Sequence, residues 1–152
     1  LEACNLISAS DVGLTIHAGE AADLSYIEDA VLNCKAQRIG HGWQIIDGCK
    51  KDGDIFVPDS EIAEVVLERQ IPLEICISSN VKSGASEVSI DNHPALGLLK
   101  SGFRVTLNTD NRLMADTTLS KEFKKAKESL NLQSSDEEIL IKNSYDSLFS
   151  NL

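Results

Sequence analysis

No run of apolar residues approaches the roughly 18 that a membrane-crossing helix needs, so neither a span nor a membrane partner is expected. A basic stripe able to displace counterions from a polyanion is missing as well. Formal net charge is −10, and the one basic cluster, Lys121, Lys124, Lys125 and Lys127, is interleaved with Glu122 and Glu128. That pattern predicts the wet face of a helix, not a nucleic-acid surface. Cys4, Cys34, Cys49 and Cys76 form no Cys-x-x-Cys pair, which argues against a zinc-thiolate site and for a reducing, cytoplasmic setting. Cys76 lies in the apolar run Leu73-Glu74-Ile75-Cys76-Ile77 and is predicted in the core. Phosphate-loop and dinucleotide glycine patterns are absent, and Lys82-Ser83-Gly84 is too short to replace them. A single tryptophan, Trp43, is no stacking platform and reads as a wall or core residue.

What is present is a chain of 152 residues, 42% of them hydrophobic, enough for one domain with a sizeable core. It starts at Leu1-Glu2-Ala3-Cys4 with neither an initiator methionine nor a signal-peptide pattern, and a longer parent polypeptide is expected. Short β-favouring runs alternate with amphipathic stretches. Gly13-Leu14-Thr15-Ile16 runs into His17, and Gln37-Arg38-Ile39-Gly40 into His41. Ile71 to Ile77 runs into Ser78-Ser79-Asn80, and Phe103-Arg104-Val105-Thr106-Leu107 into Asn108-Thr109-Asp110. Between them, helices are predicted over Ala22 to Asn33, Ser60 to Arg69, and Pro94 to Lys100, the last ended by Ser101-Gly102. The tail predicts a helix over Leu119 to Leu130 and another opened by a capping box at Ser135-Asp136-Glu137-Glu138. That last helix would bury Ile139, Leu140 and Leu148-Phe149. Strand-helix alternation implies a parallel α/β sheet, whose ligands bind at the C-terminal strand ends.

Those ends carry the chemistry. His17 and Glu20 share a tight turn around Gly19, where a glycine lets backbone approach a ligand closely. His41 is flanked by Gly40 and Gly42, and Asp110 closes the last run. Imidazoles and carboxylates at one sheet edge suit a metal with an adjacent acid or base. A lone strand-end histidine is more often a hydrogen-bonded structural residue, and an aspartate after Asn-Thr a turn or cap. Recurrence on successive strands weighs against that, but spacing alone leaves both readings open. His93, before Pro94 at a helix start, reads as a capping or packing residue.

Together these residues resemble the adenosine deaminase family of the amidohydrolase superfamily. The resemblance rests on Leu14 to Glu20, Arg38-Ile39-Gly40-His41-Gly42, Ser78-Ser79-Asn80, His93-Pro94, Val105 to Asp110 and Asn143-Ser144, in family order across nearly the whole chain. It implies one partial domain over residues 1–152, the C-terminal half of a (β/α)8 TIM barrel (strands five to eight) with C-terminal helices. It implies zinc held by His17 and Asp110, a proton moved to purine N1 by Glu20, and a water oriented and partly deprotonated by His41 and positioned by Asp110. Zinc lowers the pKa of its water towards about 7, and attack at C6 would turn adenosine into inosine and ammonia. The cysteine-ligated cytidine-deaminase type of site has no counterpart here.

Two departures from the family pattern stand out. Many members carry a second aspartate after the metal aspartate, against purine N7; here it is Asn111, whose NH2 can also donate to N7. The family's remaining ligands come from a His-x-His on the first strand, and the only histidines here are His17, His41 and His93. Two ligands are too few for a tight zinc site, and half a barrel leaves open sheet edges. The chain is therefore expected to need an N-terminal half, or a second copy of itself, and to be inactive alone. A related 6-aminopurine substrate (adenine, an adenosine phosphate or an N6-substituted purine) is the alternative activity. A non-catalytic half-barrel that self-associates is the alternative of another class.

Overall fold

The computed structural model describes residues 2–10, 12–83 and 88–149. Helix α1 (Glu2–Ser8) precedes strand β1 (Thr15–Ala18), and helix α2 (Leu24–Glu28) runs directly into a π-helical turn, Asp29–Asn33. Strand β2 (Arg38–His41) leads through a 3-10 segment, Trp43–Gly48, to strands β3 (Cys49–Asp52) and β4 (Ile55–Pro58) and helix α3 (Glu61–Glu68). Next come β5 (Leu73–Ile75), α4 (Ile77–Lys82), a 3-10 turn at Ile90–Asn92, α5 (Ala95–Lys100) and β6 (Val105–Leu107). Helices α6 (Arg112–Ala115), α7 (Leu119–Leu130) and α8 (Ser134–Asp146) follow. None of the described helices is long and apolar enough to cross a membrane.

Strands β1, β2, β5 and β6 form one parallel sheet whose spatial order equals their chain order. Such a sheet is wound in one direction, and the right-handed crossover rule places successive helices on the same face. Side chains alternate across it. Ile39, Leu73, Ile75, Val105 and Leu107 are all buried on the face packed by helices, each worth roughly 1.5 to 3 kcal/mol when fully buried. The other face is polar. There Arg38 Nε lies 3.1 Å from Glu74 Oε1, and Thr15 donates to Glu74 Oε2 at 2.9 Å.

Local signals fix most helix ends. The Asp23 carboxylate accepts the Ser25 N–H at 2.9 Å, and Ser60 and Thr118 hydroxyls cap α3 and α7. Asn131, at φ 60°, stops α7 in the left-handed conformation.

Several expectations need correction. Strand β5 ends at Ile75, and Ser78-Ser79-Asn80 lie in α4, because the buried Glu122 carboxylate accepts the Ser78 N–H at 3.0 Å and caps that helix. Glu122 is therefore not on a wet face: it is 0% exposed, and Lys125 reaches back to the Ser78 hydroxyl. Helix α8 begins at Ser134, its box closed by the Asp136 carboxylate on the Gln133 N–H at 3.0 Å, which leaves Ser135 inside the helix. It buries Leu140 but leaves Ile139 and Leu148 exposed. The antiparallel pair β3–β4 was not foreseen, although its two-residue loop Gly53-Asp54, with Gly53 at φ 59°, is a hairpin signal. Cys76 and Trp43 are buried as expected, and Gly84 lies outside the described residues.

Candidate active site

The loops after β1 and β2 are tied to each other. Gly19 sits at φ 65°, and a Cβ there would stand 2.4 Å from Ile27 Cδ1, so only glycine carries the chain from His17 to Glu20. His41 (φ 65°) and Gly42 (φ 68°) are consecutive left-handed residues. For a non-glycine residue that is an uncommon conformation, and it turns His41 sharply out of its strand. The Gly42 N–H donates to Ala18 O at 2.9 Å, and the Gln44 N–H to Gly19 O at 3.2 Å. Beyond β6, Asp110 is also left-handed, at φ 52°, and Ser79 Oγ donates to its Oδ2 at 2.6 Å. The strand-end turns, not the strands, therefore aim these side chains.

The result is convergence. Glu20, His41 and Asp110 each bring one ligand atom to within 4.8 Å of the others. His41 Nε2 lies 3.4 Å from Glu20 Oε2. The His17 ring meets the His41 ring edge-on at 5.0 Å and 86°. His41 is buried at 2% exposure, while His17 and Asp110 are open to solvent. Burial holds the His41 imidazole below its usual pKa, against the opposing pull of Glu20 and with a small further lowering from His17. The Asp110 carboxylate, with imidazoles close by, suits a borderline divalent cation such as zinc. This leaves the Glu20 carboxylate for proton transfer.

Of the site residues expected from the sequence, Glu20, His41 and Asp110 converge here; His17 stands beside them through its ring contact with His41, and Gly19 forms the turn before Glu20. Asn111 follows Asp110 and is the N-cap of α6, its Oδ1 accepting the Met114 N–H at 3.0 Å; its NH2 end is the part that can donate to a ligand. His93 does cap its helix, Nδ1 accepting the Ala95 N–H at 3.2 Å. Sequence reasoning gave no role to Asn80, which is 1% exposed and touches His41 Nδ1 at 3.0 Å. Nor did it find Ser79 or Glu122. The signals were the polar Ser78-Ser79-Asn80 run directly after an apolar strand and its place among the segments that carry the family resemblance; for Glu122 there was none.

The chain is similar to known proteins in sequence and fold. The family model described as adenosine deaminase matches residues 1–151. An adenosine deaminase of Mycobacterium sp. (strain JLS) is 45% identical over 122 residues, 80% of this chain and 33% of that protein. Among solved structures, an adenine deaminase from Arthrobacter aurescens superposes with a TM-score of 0.85 at 24% identity, over 99% of this chain and 42% of the other. The arabidopsis N6-mAMP deaminase superposes with a TM-score of 0.75 at 29% identity, over 97% of this chain and 40% of the other. The chain thus spans about a third of the curated relative's length. With a family match over essentially its full length, the chain belongs to the adenosine deaminase family.

Proposed function

We propose that this chain is the C-terminal half of a zinc-dependent deaminase barrel, one partial domain over residues 1–152 working in the cytoplasm. Its four parallel strands are then strands five to eight, and the complete barrel converts adenosine and water into inosine and ammonia. The observation that carries this reading is the approach of Glu20, His41 and Asp110 to within 4.8 Å of one another, with His17 alongside.

His17 and Asp110 hold the metal, and further ligands come from the upstream half. Zinc, when bound, supplies a water that loses a proton near neutral pH. Asp110, itself held by the Ser79 hydroxyl, fixes that water's position. His41 orients it from the buried side. Glu20 delivers a proton to purine N1, which draws electrons from C6 and makes it open to attack. Gly19 lets the backbone lie close under the purine, and the Asn111 NH2 donates to N7. Water adds at C6 and ammonia leaves.

Adenosine is favoured by the 45% identity to an adenosine deaminase. The second reading, a phosphorylated or N6-substituted 6-aminopurine, is favoured by the superposition on the N6-mAMP deaminase at 29% identity. The test is expression with and without the upstream coding region, followed by loss of adenosine, adenine, AMP and N6-methyl-AMP in the presence of zinc. Activity on adenosine that requires the upstream region and disappears in Glu20→Gln is the expected result. Preference for a phosphorylated substrate selects the second reading. No activity with any substrate overturns both and leaves a self-associating, non-catalytic half-barrel. Full activity of the short chain overturns its incompleteness.

A further inference from the structure

Behind His41 lies a buried line of polar groups that reaches away from the site. The Ala95 N–H meets His93 Nδ1 at 3.2 Å, and His93 Nε2 meets Asn80 Oδ1 at 3.3 Å. Asn80 Nδ2 meets His41 Nδ1 at 3.0 Å, and His41 Nε2 meets Glu20 Oε2 at 3.4 Å. His41, Asn80 and His93 are 2%, 1% and 4% exposed, so solvent offers them no alternative partners.

The direction of every bond in this line follows from its inner end. A backbone N–H can only donate, so His93 Nδ1 must accept and its proton must sit on Nε2. The Asn80 atom facing His93 is then its oxygen, and its NH2 faces His41. His41 Nδ1 must accept in turn, which leaves its proton on Nε2, pointing at Glu20. A reversed Asn80 amide would set its NH2 against the His93 Nε2–H, two donors face to face in a dry interior, at a cost of the kind that buried polar groups avoid. Burial supports the assignment independently by pushing His93 down to about 4, so that its ring is neutral and able to accept at neutral pH.

We infer that Asn80 and His93 are positioning residues that hold the proton of His41 on Nε2, so that His41 faces the reaction as a hydrogen-bond donor and not as a base. The catalytic consequence rests on the deaminase reading above: with Nε2 already protonated, His41 orients the water by donating to it. This departs from the family resemblance, which gives His41 a share in deprotonation. The proton assignment itself stands on geometry alone.

The test uses the chain expressed with its upstream region and labelled with 15N-histidine. Long-range proton–nitrogen spectra at neutral pH are expected to show Nε2 protonated and Nδ1 bare in both His41 and His93. A proton on His41 Nδ1, or averaging between its two nitrogens, overturns the inference, and this readout needs no variant. In Asn80→Asp a carboxylate replaces the NH2 and accepts from His41 Nδ1, so the His41 proton moves to Nδ1. Deamination kcat then falls about 10- to 100-fold, the usual effect of a supporting residue, with KM nearly unchanged. A His41 proton that stays on Nε2 in the variant, or an inverted proton with unchanged kcat, overturns the positioning role. Wild-type protein with the expected nitrogens but no deamination would sink the proposed activity and leave the proton assignment intact.

Discussion

The His17 imidazole lies over Gly40 of the neighbouring strand so closely that a Cβ on Gly40 would stand 2.5 Å from its Cδ2 and 3.1 Å from its Nε2. The two residues are in register, His17 against Gly40, where β1 pairs with β2. The proposed zinc ligand on β1 is thus seated by a missing side chain on β2. Since φ at Gly40 is not in the left-handed region, Gly40→Ala adds bulk without backbone strain. It should swing His17 aside and weaken zinc binding by about tenfold or more, read by competition with a chromogenic chelator in the protein carrying its upstream region. Unchanged affinity would show that His17 does not hold the metal.

Glu122 is expected to matter for folding. Its carboxylate accepts from the Ser78 N–H at 3.0 Å and the Thr117 hydroxyl at 2.5 Å, in a fully buried position. Glu122→Ala strips both donors of their acceptor, and an unsatisfied buried polar group costs roughly 1 to 3 kcal/mol. Urea unfolding should show a lower midpoint with unchanged slope. Glu122→Gln keeps an acceptor for the Ser78 N–H and should recover part of the loss; equal loss in both variants would mean that charge, not the hydrogen bond, is what the site needs.

His93 predicts a pH effect. In the folded protein burial pushes it down to about 4 from an ordinary 6.5, so between those values the unfolded chain takes up a proton that the folded one refuses. Its stabilising contribution is complete above about pH 6.5 and is lost as pH falls towards 4. Between pH 6.5 and 5 the loss approaches about 2 kcal/mol. The drop in unfolding free energy over that interval should be smaller in His93→Gln by about this amount. An equal drop in both proteins would show that His93 charges freely in the native state.

The parts of this molecule that were legible in its sequence are those whose cause is local. Helix α7 could be read from Leu119 to Leu130 because its Thr118 cap and its left-handed Asn131 stop are adjacent to it. The polar strand ends could be read because His17, His41 and Asp110 each follow their own apolar run. Glu122 could not, since Lys121, Lys124 and Lys125 around it read as a wet face while the Ser78 N–H it binds lies 44 positions away in sequence. The capping role of His93 could be read from its place before Pro94, but its pairing with Asn80 could not, since packing of α4 against the start of α5 makes it. The β3–β4 hairpin escaped because Lys50, Lys51 and Asp52 offer no apolar alternation, and only the Gly53-Asp54 turn marked it. The sheet order was accessible through the crossover rule, but the end of β5 depended on the distant carboxylate that caps α4.

Asn111 separates a structural from a substrate-binding role most directly. Its Oδ1 accepts the Met114 N–H at 3.0 Å and so starts α6, a task aspartate performs equally well. Asn111→Asp should therefore leave thermal stability nearly unchanged. Toward substrate the two differ: the amide donates to purine N7 as it stands, whereas a carboxyl must be protonated to do so. Activity of the complete barrel on adenosine should stay within about an order of magnitude, or roughly 1.4 kcal/mol of transition-state stabilisation. Any loss should appear in kcat/KM and shrink as pH falls, because protonation restores the donor. An analogue with carbon in place of N7 supplies the control. If the variant and the parent discriminate against it equally, Asn111 is a helix cap and not a purine contact.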